Sequence, residues 1–257
     1  MKKILTLTGV AMLLVAASCA KLAEKDVQPS NTAVVSVGLS GTKVSLGGRT
    51  DMVYKSVWDE GDAVVVNGTA SEAIDASQAG KSVAHFTVNY YLEAPYNVFY
   101  PASALGADGT VHFLTDQTYV EGQFDPNAVV LAGSSPTPAV SMHYACAFVK
   151  VTIAKSADET LKRVKLYSAD ETPMSGDYEI DYATASLNLI YNRKNYVSVS
   201  GEQGIAYNAQ GKAEIVFCVP AGTYPGGFAV AATTTDGKQM SKKAYGTSGV
   251  SLVAGSL

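Results

Sequence analysis

Charge is scarce in this 257-residue sequence. Asp, Glu, Lys and Arg together make up 16%, and the net charge is −4. No basic run is interleaved with aromatics, so binding of a nucleic-acid backbone is excluded as a main task. Histidine is rarer still. His85, His112 and His143 are scattered on strand-like runs, and no set of zinc ligands is expected from them. No Gly-x-Ser-x-Gly elbow occurs. Gly47-Gly48 and Gly226-Gly227 are not followed by Lys-Ser/Thr, which rules out a P-loop phosphate cradle. Asp59, Glu60 and Asp62 crowd together, but they lack the ligand spacing of an EF-hand and its distant Glu, so a solvated turn is expected. The expectation is therefore no catalytic residue, no metal and no cofactor. Long amphipathic helical patterns are missing too; Ser71 to Gly80 offers at most one helical turn or a loop.

What is present is apolar and strand-forming. Hydrophobic residues make up 47%, with 23 Gly and 15 Tyr, enough for a sizeable core and pointing to an all-β protein. The one tryptophan, Trp58, stands in Val53-Tyr-Lys-Ser-Val-Trp-Asp-Glu-Gly-Asp-Ala-Val-Val-Val-Asn-Gly68. Two apolar runs there flank the acidic corner Asp59-Glu60-Gly61-Asp62, and Asn67-Gly68 is a tight-turn signal. Burying an indole removes roughly 150–250 Å² from water, at most about 4–6 kcal/mol. Trp58 is expected to anchor the core of an N-terminal β-sandwich.

Along the chain, strands are predicted at Thr32–Ser40, with an extension at Thr42–Leu46, then at Val83–Val88, Tyr96–Pro101 and Thr110–Leu114. Asp108-Gly109 supplies a hairpin turn. Asp125 to Ala139, with Pro126, Gly133, Pro136 and Pro138, reads as a connection. Beyond it lie Ala145–Ile153, Leu161–Tyr167, Met174–Asp181, Ala213–Gly222 and Phe228–Gly237. The expected organisation is a signal peptide over 1–18, a tether over 19–31, an N-terminal β-sandwich over 32–139 and a C-terminal β-sandwich over 140–257.

Met1-Lys-Lys-Ile begins a basic start, an apolar run and a small-residue end, the pattern of a secretory signal peptide whose apolar part is too short to span a bilayer. Ala16-Ala17-Ser18-Cys19 resembles the lipobox of bacterial lipoproteins, with Ala16 where leucine is commoner. The resemblance implies cleavage before Cys19 and lipidation of that cysteine, with several acyl chains holding the protein at a membrane. Lys21 to Asn31 then reads as a polar tether. Cys146 and Cys218 remain. An exported compartment permits a disulfide between them; two small buried thiols inside strands is the simpler reading.

A wider resemblance covers nearly the whole mature chain. Gly41-Thr-Lys-Val-Ser45, Trp58-Asp-Glu-Gly-Asp62, Tyr96-Asn-Val-Phe-Tyr-Pro101, His143-Tyr-Ala-Cys-Ala-Phe-Val-Lys-Val151, Met174-Ser-Gly176, Val219-Pro-Ala-Gly222, Asp236-Gly-Lys238 and Leu252-Val-Ala-Gly255 occur in order. Together they resemble the fimbrillin-like proteins of Bacteroidales, pilin-type lipoproteins with two β-sandwiches of transthyretin-like, Greek-key type. The resemblance implies a surface-exposed place at the outer membrane, a lipid anchor, and other pilin subunits as partners in a fimbrium. It also implies removal of an N-terminal strand by an arginine-directed protease, and Arg49, in Gly47-Gly48-Arg49, follows the first predicted strand. A strand from the next subunit would then fill the groove. The family usually continues past the Ala-Gly step with a last strand, whereas this sequence stops at Leu257: for a complete sequence the expected donor strand is short or absent, as in an accessory or anchor subunit or one that never polymerises, and a truncated sequence is the equal alternative. The alternative is a non-polymerising surface lipoprotein that binds glycans through exposed aromatics such as Tyr90 and Tyr91.

Overall fold

A computed structural model of the chain describes residues 31–39, 57–155, 159–245 and 249–257. In chain order the strands are β1 (Ala33–Leu39), β2 (Val65–Val66), β3 (Thr69–Ala70), β4 (Val83–Val88), β5 (Tyr96–Tyr100), β6 (Val111–Phe113), β7 (Asp116–Thr118), β8 (Leu131–Ser135), β9 (Ala139–Tyr144) and β10 (Cys146–Ala154). They continue as β11 (Leu161–Ser168), β12 (Ser175–Asp181), β13 (Ser186–Lys194), β14 (Tyr196–Ile205), β15 (Lys212–Pro220), β16 (Gly222–Tyr224), β17 (Phe228–Thr234), β18 (Gln239–Tyr245) and β19 (Val250–Leu252). Two 3-10 turns, Ala102–Ala104 and Pro126–Ala128, are the helical elements among the described residues. The protein is an all-β sandwich, as its composition predicts.

The largest sheet has seven strands in the order β3-β2-β5-β8-β9-β1-β4. A five-stranded sheet runs β18-β17-β11-β14-β7, and smaller sheets are β13-β12-β6, β10-β15 and β16-β19. Two hydrophobic cores result. The first holds Val35, Val37, Trp58, Phe86, Phe99 and Met142; the second holds Leu161, Leu166, Ile205, Phe217 and Tyr224.

β15 shows why the cores are joined. Val216 and Cys218 pack into the first core, while Ile215, Phe217 and Val219 pack into the second. A strand buried on both faces loses the alternation of a half-exposed one and reads as a continuous apolar run. Its partner β10 behaves alike, with Cys146 and Phe148 in the first core and Val149, Val151 and Ile153 against the second. The β10-β15 pair is a shared middle layer. The chain also crosses earlier: β6 pairs with β12, and β7 pairs in parallel with β14.

The stretch Asp125–Ala139 differs from the connection that its prolines predict. It contains β8, which pairs with β5 on one side and β9 on the other. Val129, Val130, Leu131 and Ala132 are buried there, an apolar run strong enough to outweigh the nearby turn residues. Gly133 supplies close approach: a Cβ at that position would run into the backbone of Ser141 on β9. The predicted Asn67-Gly68 turn is present. Asn67 (φ 48°) and Gly68 (φ 81°) both take positive φ, joining β2 to β3 as a hairpin.

Candidate functional site

The first described strand is not at the rim of its sheet. β1 pairs antiparallel with β4, Ala33↔Val88 to Gly38↔Val83, and in parallel with β9, Ser36↔Ala139 to Leu39↔Met142. Val35 and Val37 point into the first core and are fully buried, while Val34 on the opposite face is exposed. β1 is thus a filled slot between two strands that do not touch each other along it. At about 4.8 Å per strand, its departure would leave a gap of roughly 10 Å with unpaired edges on both sides.

Trp58 lies directly against this slot. Its indole Nε1 donates to the carbonyl of Val37 at 3.1 Å. The ring meets Phe86 edge-on at 4.9 Å and Tyr100 at 5.4 Å. Trp58 is therefore packed in the core by apolar area and by its one polar atom together. The acidic corner closes around it. Asp62 accepts the Tyr100 hydroxyl at 2.9 Å and the Asp59 amide at 2.8 Å, and Gly61 donates to Ile74. Burial, then the Asp62 charge, pushes the Tyr100 hydroxyl far above its ordinary range. Asp62 thus acts as a turn-closing acceptor. Of the apolar run behind the corner, only Val65 and Val66 form a strand.

The three histidines stand on three different strands. On β4, His85 Nδ1 lies 2.9 Å from Ser36 Oγ. On β6, His112 Nδ1 lies 2.7 Å from Asp177, whose carboxyl it holds below the usual range with help from Asn192. His143 belongs to β9. Among the described residues no group of three His, Cys, Asp or Glu is placed to hold a metal ion. Cys146 and Cys218 are free thiols, both fully buried. Burial raises the Cys218 thiol well above its ordinary range, and Cys146 beside it adds to the shift. Tyr90 and Tyr91 are exposed. Cys19 and Arg49, together with the predicted signal peptide, residues 19–30 of the predicted tether and the predicted Thr42–Leu46 strand, lie outside the described residues.

Two buried polar residues stand out that sequence reasoning passes over. Gln117 on β7 donates to the Cys218 carbonyl at 2.7 Å and accepts from the Cys218 amide at 3.0 Å. Its side chain thus completes a rung on the free edge of β15. Asp125 accepts from the amides of Thr118 and Asn127 at 2.7 and 2.9 Å. Asp125-Pro126 is a start signal for a helical turn; Gln117 carries no such local signal.

No protein-family model matches the chain, and no curated protein matches it. Solved structures that overlap with it include two of bacterial surface proteins. A protein of Bacteroides ovatus assigned to cell adhesion gives a TM-score of 0.47 at 13% identity, covering 82% of this chain and 85% of its own. The tip fimbrial protein Mfa3 of Porphyromonas gingivalis, with a C-terminal truncation, gives 0.34 at 12% identity, covering 83% and 81%. At these scores neither overlap carries a topology or a function across.

Proposed function

We propose that this protein is a structural or adhesive subunit of a cell-surface fimbria, brought to the outer membrane as a precursor through a lipid on Cys19 and assembled by exchange of β-strands once cleavage has released it from that anchor. The observation that carries the reading is the position of β1. It is the first described strand, it is interior, and it is followed in sequence by Gly47-Gly48-Arg49. An interior strand tied to the rest of the sheet by a single cleavable stretch is what a strand-exchange subunit needs. Cleavage after Arg49 frees β1 to leave, and the slot then offers β4 and β9 edges and an apolar floor to a neighbour's strand. The ordered resemblance to fimbrillin-like lipoproteins supports the same reading.

The test is direct. Purified full-length chain is incubated with an arginine-specific protease and followed by N-terminal sequencing and by gel electrophoresis without boiling. A new N-terminus at Thr50 and a ladder of detergent-resistant multimers are expected. Cleavage elsewhere with no ladder would remove the fimbrial reading.

A further inference from the structure

We propose that the outer face of the five-stranded sheet is a binding platform for an anionic polysaccharide, a sugar chain that carries carboxylates or sulfates. This rests on the adhesive half of the reading above and names a ligand class for it.

The face follows from register. Leu161, Val164 and Leu166 on β11 point into the second core, as do Val197 and Val199 on β14. A bulge between Leu161 and Arg163 resets the alternation at the start of β11. From there the period of two turns Arg163, Lys165 and Tyr167 away from the core, opposite Ser200, Ser198 and Tyr196 of β14. On its other side β17 sets Thr233, Ala231 and Ala229 against the same three residues. Tyr167 and Tyr196 therefore stand side by side, with ring centroids 5.5 Å apart and ring planes at 44°. The Lys165 ammonium lies 4.5 Å from the centre of the Tyr196 ring, within reach of a cation–π attraction. The alanines, serines and threonine around them are short. Two rings and two cations are thus the longest side chains of these rows; Arg163 is exposed and the other three are half-buried.

The cations are uncommitted. Among the described residues neither Arg163 nor Lys165 has an ion-pair partner. Asp116 on β7 ends the Lys165 row and accepts the Ser198 hydroxyl, while Lys165 turns to the ring. In a chain of net charge −4, such a pair attracts an anion at short range only. The rest of the face selects which anion. β11 and β14 are paired on both edges, so no backbone donor is left there for an extended peptide. Two cations are too few for a nucleic-acid backbone. These rows hold no large aliphatic side chain to enter a lipid surface. A sugar chain suits them. The C–H face of one ring lies on a tyrosine, and a carboxylate or sulfate farther along meets Lys165 or Arg163. From Tyr167 to Arg163 the strand advances about 13 Å at roughly 3.3 Å per residue, so the ligand is a chain of sugars and not one ring.

The test titrates purified full-length chain with hyaluronate, which carries carboxylates, with dextran sulfate, and with neutral dextran, and reads binding by biolayer interferometry. Binding to at least one anionic polymer, and none to dextran, is expected; the polymer that binds tells carboxylate from sulfate. Arg163→Gln, Lys165→Gln and Tyr196→Leu should each weaken binding about tenfold. Lys81→Gln removes an equal charge from an exposed position before β4 and should change nothing. Each variant is first shown by thermal unfolding to fold as the unaltered chain does. Should Lys165→Gln unfold, Arg163→Gln carries the charge test; Tyr167→Leu replaces Tyr196→Leu on the same terms. No binding to either anionic polymer overturns the platform. So does full affinity in the folded variants, or an equal loss with Lys81→Gln. Poly-glutamate bound as tightly as hyaluronate would mark bare charge and also overturn it. A chain that fails these tests yet multimerises after protease treatment keeps the fimbrial reading. One that binds but never multimerises loses that reading and keeps the platform.

Discussion

Single residues in this protein do their structural work mostly through short polar contacts at turns. Trp58 combines a buried ring with a bond to the β1 backbone, so one side chain reports on the slot as well as on the core. Asp170 is the sharpest electrostatic case. Its carboxylate accepts from the Ser168 hydroxyl, from the hydroxyl and amide of Thr172, and from the amide of Gly226, tying the turn after β11 to the one before β17. Those bonds, the Ser168 bond foremost, lower its pKa from 3.8 to about 2. A carboxyl with a depressed folded pKa stabilises the fold fully above its unfolded pKa, and the contribution is lost as pH falls toward about 2. Asp170→Asn should therefore flatten the fall in thermal midpoint between about pH 5 and pH 2. Equal slopes for the variant and the unaltered chain over that window would dismiss the role.

At the scale of elements, alternation made several strands legible. Val83–Val88 and Leu161–Tyr167 carry the period of two, and β4 and β11 occupy those positions. β13 escapes that reading, since it is exposed along nearly its whole length and, among the described residues, pairs with β12 alone. β8 was hidden by the prolines and glycines around it. The candidate site was half legible. An apolar first strand can be read from Thr32–Ser40, but its place between β4 and β9 depends on pairing with segments far along the chain, which no local pattern records. Gln117 deserves a test at this scale, since it substitutes for a missing strand at one rung of β15. Gln117→Ala leaves the Cys218 amide and carbonyl unpaired in the core, at about 1–3 kcal/mol for each. Urea unfolding measures the loss; a variant as stable as the unaltered chain would show the side chain to be dispensable.

For the whole molecule, the shared β10-β15 layer has an energetic meaning. Alternate residues of the same two strands complete both cores, so neither core keeps its wall if the other melts. The described region should unfold in one cooperative step, with calorimetric and van't Hoff enthalpies in agreement. Two resolved heat-absorption peaks would show that the layer separates. The parallel pairing of β1 with β9 reaches further, into the order of events during synthesis. Ser36 cannot meet Ala139 until more than half of the polypeptide has been made. On the exported-subunit reading proposed above, a chain whose opening ribbon must wait that long for its partner would stay threadable through an export channel and set into final form only once β9 had crossed.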